Sequence, residues 1–134
     1  MTSSLQLDQG PVSVLVVEDL PETLAWLISI VDETFPGAII TPAETQKQAM
    51  AHITASRFDL ALIDLGLPDG NGHNVIQKLR EQSAATYIVV ATIFNDDEHL
   101  LSALKEGANG YLLKDESRET LISHLKGIDG NRAP

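Results

Sequence analysis

The chain has 134 residues and a mass of 14.5 kDa, the size of one ordinary domain with one core. Hydrophobic residues make up 43% and charged residues 21%, which argues against disorder. The absence of cysteine removes disulfides, thiolate zinc sites, iron–sulfur clusters and cysteine nucleophiles together. Nine basic residues stand against 19 acidic ones, a net charge of −10, so most of the surface repels nucleic acid and anionic lipid. Any role in DNA regulation is therefore expected to run through something attached to this chain. No apolar run is long enough for a membrane span, and Met1–Gly10 lacks the basic and apolar regions of a signal peptide.

In chain order, Val12–Val17 is a short β-branched run ending in Glu18-Asp19. Leu24, Leu27, Ile28, Val31 and Phe35 then recur at helical spacing, with Pro21 in the first turn and Pro36-Gly37 as the stop. Ala38–Thr41 reads as a second strand, and Pro42 marks it as an edge strand, where a missing N–H is tolerated. Thr45 with Gln48 forms a capping box for a helix to about Ser56. Leu60–Ile63 is apolar on both faces, as buried parallel strands are, and runs through Asp64 into the turn-rich segment Gly66–Gly72. A helix over about His73–Gln82 and a strand over Tyr87–Ala91 follow. Asn95 with Glu98 forms a second capping box, opening a helix to about Glu106 that Gly107 closes. Gly110–Leu113 is the last strand and Glu116–Gly127 the last helix, with Leu121, Ile122, Leu125 and Ile128 on its buried face. This alternation predicts a parallel sheet covered by helices on both faces, with right-handed crossovers.

Ligands of open α/β sheets bind beyond the carboxyl ends of the strands. There the chain places Glu18 and Asp19, then Asp64, Thr92 and Lys114. Taken singly, each has an ordinary reading: Asp64 as a turn opener, Glu18-Asp19 as a helix-start charge pair, Thr92 as a β-branched strand residue, and Lys114 as a solvated lysine. Taken together, they form one chemically coherent set. Converging carboxylates imply a cation, and an all-oxygen donor set without His or Cys favours a hard one. Mg2+ fits best, because it binds one or two carboxylates together with phosphate oxygens. Such a site suits phosphoryl transfer with a carboxylate as nucleophile, giving an aspartyl-phosphate. His52, His73, His99 and His124 lack metal or triad spacing and read as surface or packing residues, and Trp26 on the first helix reads as packing. The Gly66–Gly72 loop lacks the Gly-Lys-Ser/Thr ending of a Walker loop.

The segments VLVVED (Val14–Asp19), LALIDLGLPDGNG (Leu60–Gly72), VVAT (Val89–Thr92) and GYLLKD (Gly110–Asp115) resemble the receiver domain of two-component response regulators. The wording of the second and fourth is similar to the NarL/FixJ-type subfamily. The resemblance covers about Val12 to Ile128. It implies a (βα)5 doubly wound three-layer sandwich with a five-stranded parallel sheet of flavodoxin-like order 2-1-3-4-5. Residues 1–11 would be an N-terminal extension, 12–128 the receiver, and 129–134 the start of a C-terminal linker or tail. The resemblance further implies Asp64 as phospho-acceptor and Mg2+ as cofactor. Asp19 would be a direct ligand of the ion, Glu18 would hold its waters, and Gly66 would add its backbone carbonyl. Thr92 would be the switch hydroxyl, Tyr111 the aromatic switch and Lys114 the phosphate-binding lysine.

The same resemblance implies a sensor histidine kinase as partner, a cytoplasmic location and an output face on the fourth helix, fifth strand and fifth helix. That face would control a helix-turn-helix domain absent from this chain. No membrane contact or direct nucleic-acid contact is expected. A homodimer formed on activation, through that face or through the first and last helices, is an open expectation. The chain would not be a conventional enzyme, with at most autophosphorylation from small donors and self-dephosphorylation. Three positions depart from the family pattern. Ile93 stands where a small residue is usual and would crowd the phosphate site. Asp115 replaces the proline after the lysine, which disfavours a cis peptide there. Phe94 is apolar and does not orient water. Two other readings stay open. A pseudo-receiver would keep the fold without phosphorylation. A haloacid-dehalogenase-type phosphatase would need Asp-x-Asp, but the second residue after Asp64 is Gly66.

Overall fold

A computed structural model describes residues 11–93 and 97–131. Nearly all of the expected N-terminal extension, Phe94, the capping residue Asn95 and the last residues of the expected tail lie outside the described residues. The main sheet has strands β1 (Ser13–Val17), β2 (Ile39–Ala43), β3 (Leu60–Ile63), β4 (Tyr87–Thr92) and β5 (Gly110–Leu113). They are parallel and ordered β2-β1-β3-β4-β5, as the resemblance implies. The helices are α1 (Pro21–Thr34), α2 (Gln46–Ala55), α3 (Gly72–Gln82), α4 (Asp97–Glu106) and α5 (Arg118–Asn131).

The period of two in each strand divides the core into two layers. Val14, Val16, Leu60, Leu62, Val89, Ala91 and Leu112 pack with α1 and α5 through Leu24, Leu27, Ile30, Leu121 and Leu125. The alternate residues Leu15, Val17, Ala61, Ile63, Ile88 and Val90 pack with α2, α3 and α4 through Ala49, Ile53, Val75, Ile76, Leu79 and Ala103. The inner strands are apolar on both faces because each face meets helices.

Local signals explain most boundaries. Pro21 lies in the first turn of α1, where its missing N–H costs nothing. Gly37 and Gly107 take φ of 87° and 123°, the left-handed region that suits glycine after a helix. Thr45 caps α2 by accepting from the Gln48 N–H at 3.0 Å, while the Gln48 side chain accepts from the Glu44 N–H at 2.7 Å. β2 is an edge strand with Pro42 inside it. α5 starts at Arg118 rather than Glu116, because the Ser117 hydroxyl accepts from the Thr120 N–H at 3.2 Å and opens the helix there. α5 also continues through residues 129–131, which the sequence reading places in a linker.

The turn-rich segment after β3 folds into a short antiparallel ribbon, Gly66–Leu67 against Gly70–Asn71. It is fastened to the start of α2. The two Asp69 carboxylate oxygens accept from the Gln46 and Lys47 N–H groups at 2.7 and 3.0 Å. The Gln46 side-chain carbonyl in turn accepts from the Asn71 N–H at 3.1 Å. This fastening fixes the loop that follows Asp64.

Candidate functional site

The carboxyl ends of β1, β3, β4 and β5 bring the expected residues to one edge of the sheet. Backbone bonds set their places. The Glu18 N–H donates to the Ala43 carbonyl at the end of β2, and the Asp64 N–H to the Val17 carbonyl at the end of β1, both at 2.9 Å. The Lys114 N–H donates to the Thr92 carbonyl at 2.9 Å, joining the ends of β4 and β5. Gly72 begins α3 directly behind Asp64. A Cβ there would lie 2.3 Å from the Asp64 carbonyl oxygen, so only glycine allows α3 to start so close.

Glu18, Asp19 and Asp64 each offer a carboxylate oxygen, and these oxygens lie within 4.8 Å of one another. Glu18 and Asp64 are buried and Asp19 is partly exposed. The Lys114 ammonium donates to Glu18 Oε1 and lies 3.4 Å from Asp64 Oδ2. The Leu20 N–H donates to Glu18 Oε2 at 3.1 Å. Burial pushes the Asp64 carboxyl above the ordinary carboxylate range and the Asp19 charge adds to this, while Lys114 and the Gly66 N–H pull it back. Burial also raises Glu18, against the Lys114 and Leu20 donors. A closely packed, all-oxygen acidic set with one lysine to share is short of positive charge. Its donors fit a hard divalent cation.

Thr92 is fully buried at the end of β4. Tyr111 lies one strand away on β5 with its ring about half exposed. Ile93 is 70% exposed, so its side chain stands at the mouth of the site rather than pressed onto Asp64. No cis peptide bond occurs among the described residues, the Lys114–Asp115 bond included.

A cleft of about 490 Å³ opens above this floor. Asp64, Gly66 and Lys114 form its polar base, and Leu20, Thr23, Trp26 and Ile93 form its walls. The sequence reading of Trp26 as packing is half of its role: the ring packs against the α1 and α5 core layer and also lines the cleft. Its place on the first helix suggests packing for Trp26 but does not show that the α1 face carrying it overlooks Asp64. His73 pairs with Glu106 across α3 and α4.

Residues 14–126 match the response regulator receiver domain family. The nitrate/nitrite response regulator protein NarL of Escherichia coli K12 is 33% identical over 118 residues, spanning 88% of this chain and 55% of NarL. The DNA-binding transcriptional activator DevR/DosR of Mycobacterium tuberculosis is 29% identical over 122 residues, spanning 91% of this chain and 56% of that protein. A crystal structure of a two-component response regulator from Clostridium difficile superposes with a TM-score of 0.81 at 26% identity, covering 92% of this chain and 99% of that one. The chain belongs to the response regulator receiver family, and its relatives include regulators of the NarL/FixJ type. It spans about half the length of the curated relatives it matches.

Proposed function

We propose that this receiver is a phosphorylation switch in which Asp64 accepts a phosphoryl group from the phosphohistidine of a sensor histidine kinase in the cytoplasm. The observation that carries this reading is the Glu18–Asp19–Asp64 cluster with Lys114 bridging Glu18 and Asp64. An Asp64 carboxylate oxygen attacks phosphorus, the P–N bond breaks, and the electron pair leaves with the imidazole nitrogen, which takes a proton. Glu18, Asp19, Asp64 and the Gly66 carbonyl would hold Mg2+, which neutralises charge on the phosphoryl oxygens when bound. Lys114 trades its carboxylate partners for a phosphoryl oxygen. The Thr92 hydroxyl donates to another oxygen, and Tyr111 turns inward behind it.

The output face is α4, β5 and α5, covering part of residues 12–128. Leu101 and Leu104 on α4 and Tyr111 on β5 already leave apolar surface in water there. A change at this face would set the pairing of two copies and the activity of a DNA-binding domain beyond this chain. The −10 charge supports a division of labour in which this chain does not itself touch DNA.

The test is intact mass after incubation with acetyl phosphate and Mg2+. One acid-labile phosphoryl adduct is expected, absent without Mg2+ and absent from Asp64→Ala. No adduct, together with no binding of beryllofluoride in the presence of Mg2+, would overturn the switch and leave an interaction module.

A further inference from the structure

The cleft over Asp64 is larger than a phosphoryl group requires. Its base of Asp64, Gly66 and Lys114 accounts for the phosphoryl end of a donor. Its walls are a different chemistry, with an indole, two aliphatic side chains and the Thr23 side chain. Leu20 and Ile93 are 57% and 70% exposed, so an apolar rim faces water around a charged floor. Such a rim favours an occupant with a charged head and a flat apolar body.

In-line displacement sends the leaving group away from the attacking Asp64 oxygen, outward along these walls. A departing imidazole is planar and neutral once protonated, and it stacks well on an indole. A departing acetate is a small hydrated anion and gains little from the same wall. We propose that Trp26 selects the phosphodonor: its indole receives the flat leaving group of an N-phosphorylated imidazole, so this chain discriminates in favour of phosphoimidazoles over acyl phosphates. This rests on the reading of Asp64 as phospho-acceptor. Trp26 touches the donor rather than the acceptor, so its effect lies in donor choice.

The test compares rate constants for phosphoryl transfer from monophosphoimidazole and from acetyl phosphate, with Mg2+, in wild type, Trp26→Ala and Trp26→Phe. One aromatic pair corresponds to a change of about two- to thirteenfold. The ratio of phosphoimidazole to acetyl phosphate rates is expected to fall by that factor in Trp26→Ala and to be largely kept in Trp26→Phe. Circular dichroism confirms that each variant is folded. A ratio unchanged in folded Trp26→Ala would overturn the proposal. Trp26 is also the sole tryptophan of the chain, so its fluorescence reads binding without turnover. In the absence of Mg2+, saturable quenching by monophosphoimidazole and none by acetyl phosphate is expected. Equal responses, or none to either, would count against the stacking. If neither donor labels wild type and beryllofluoride does not bind with Mg2+, the phospho-acceptor reading fails by itself, and the fluorescence titration still decides the role of Trp26.

Discussion

At the scale of single residues, the site is built at a cost. Asp64 and Glu18 are buried beside each other with one lysine between them, and burial raises both carboxyls. The folded chain therefore holds its Asp64 proton to a higher pH than the unfolded chain does. Between those two pH values the folded state binds more protons, so stability falls as pH rises through that window. Above that window both states are ionised and the full penalty applies. Asp64→Asn is expected to raise the melting midpoint in Mg2+-free buffer at pH 7, by roughly 1 kcal/mol or about 3–6 °C. The gain should shrink as pH is lowered toward 4. A scan of melting midpoint against pH for both proteins checks this, and a variant that melts lower than wild type at pH 7 would refute it. Asp64, Glu18 and Lys114 were legible in the sequence because each directly follows a strand. The Glu18–Lys114 pair itself was not, since 96 positions separate the two and only the sheet order brings them together.

At the scale of elements, one side chain with an unusual set of partners ties the end of α3 to the turn after α4. Arg80 near the end of α3 donates to the Gly107 carbonyl at 2.6 and 3.2 Å. It also donates to the Ser83, Ala84 and Thr86 carbonyls and to the Asn109 side chain, at 3.0 to 3.2 Å. The turn after α4, where Gly107 takes a left-handed φ, is thus fastened to the end of α3. Arg80→Ala leaves several of these carbonyls without a donor. It is expected to cost about 2–3 kcal/mol, with the largest gain in amide exchange at 106–109. A loss confined to α3 would argue against the fastening. The sequence carried no sign of this hub, because carbonyl oxygens are common to every residue. By contrast, the Thr45–Gln48 cap, Pro21 and Pro42 were readable, since each is a local device whose partner lies within a few residues.

At the scale of the whole molecule, the two apolar layers on either side of the sheet were implicit in strands that are apolar on both faces. The surface they carry has a net charge of −10. Added NaCl is expected to raise the melting midpoint by screening self-repulsion. MgCl2 at matched ionic strength should raise it further in wild type, and that extra gain should be small in Asp64→Asn. Identical curves for the two salts would oppose a divalent site. The margins of the sheet differ in one respect. In β2 the Ile39 N–H and the Ala43 carbonyl bond toward β1, so by alternation Ile40 and Pro42 face outward. Proline has no N–H to offer, so of the two outward positions only Ile40 presents a donor. A strand arriving from another molecule would find an interrupted ladder. Fibril-like growth by strand addition is discouraged on that side.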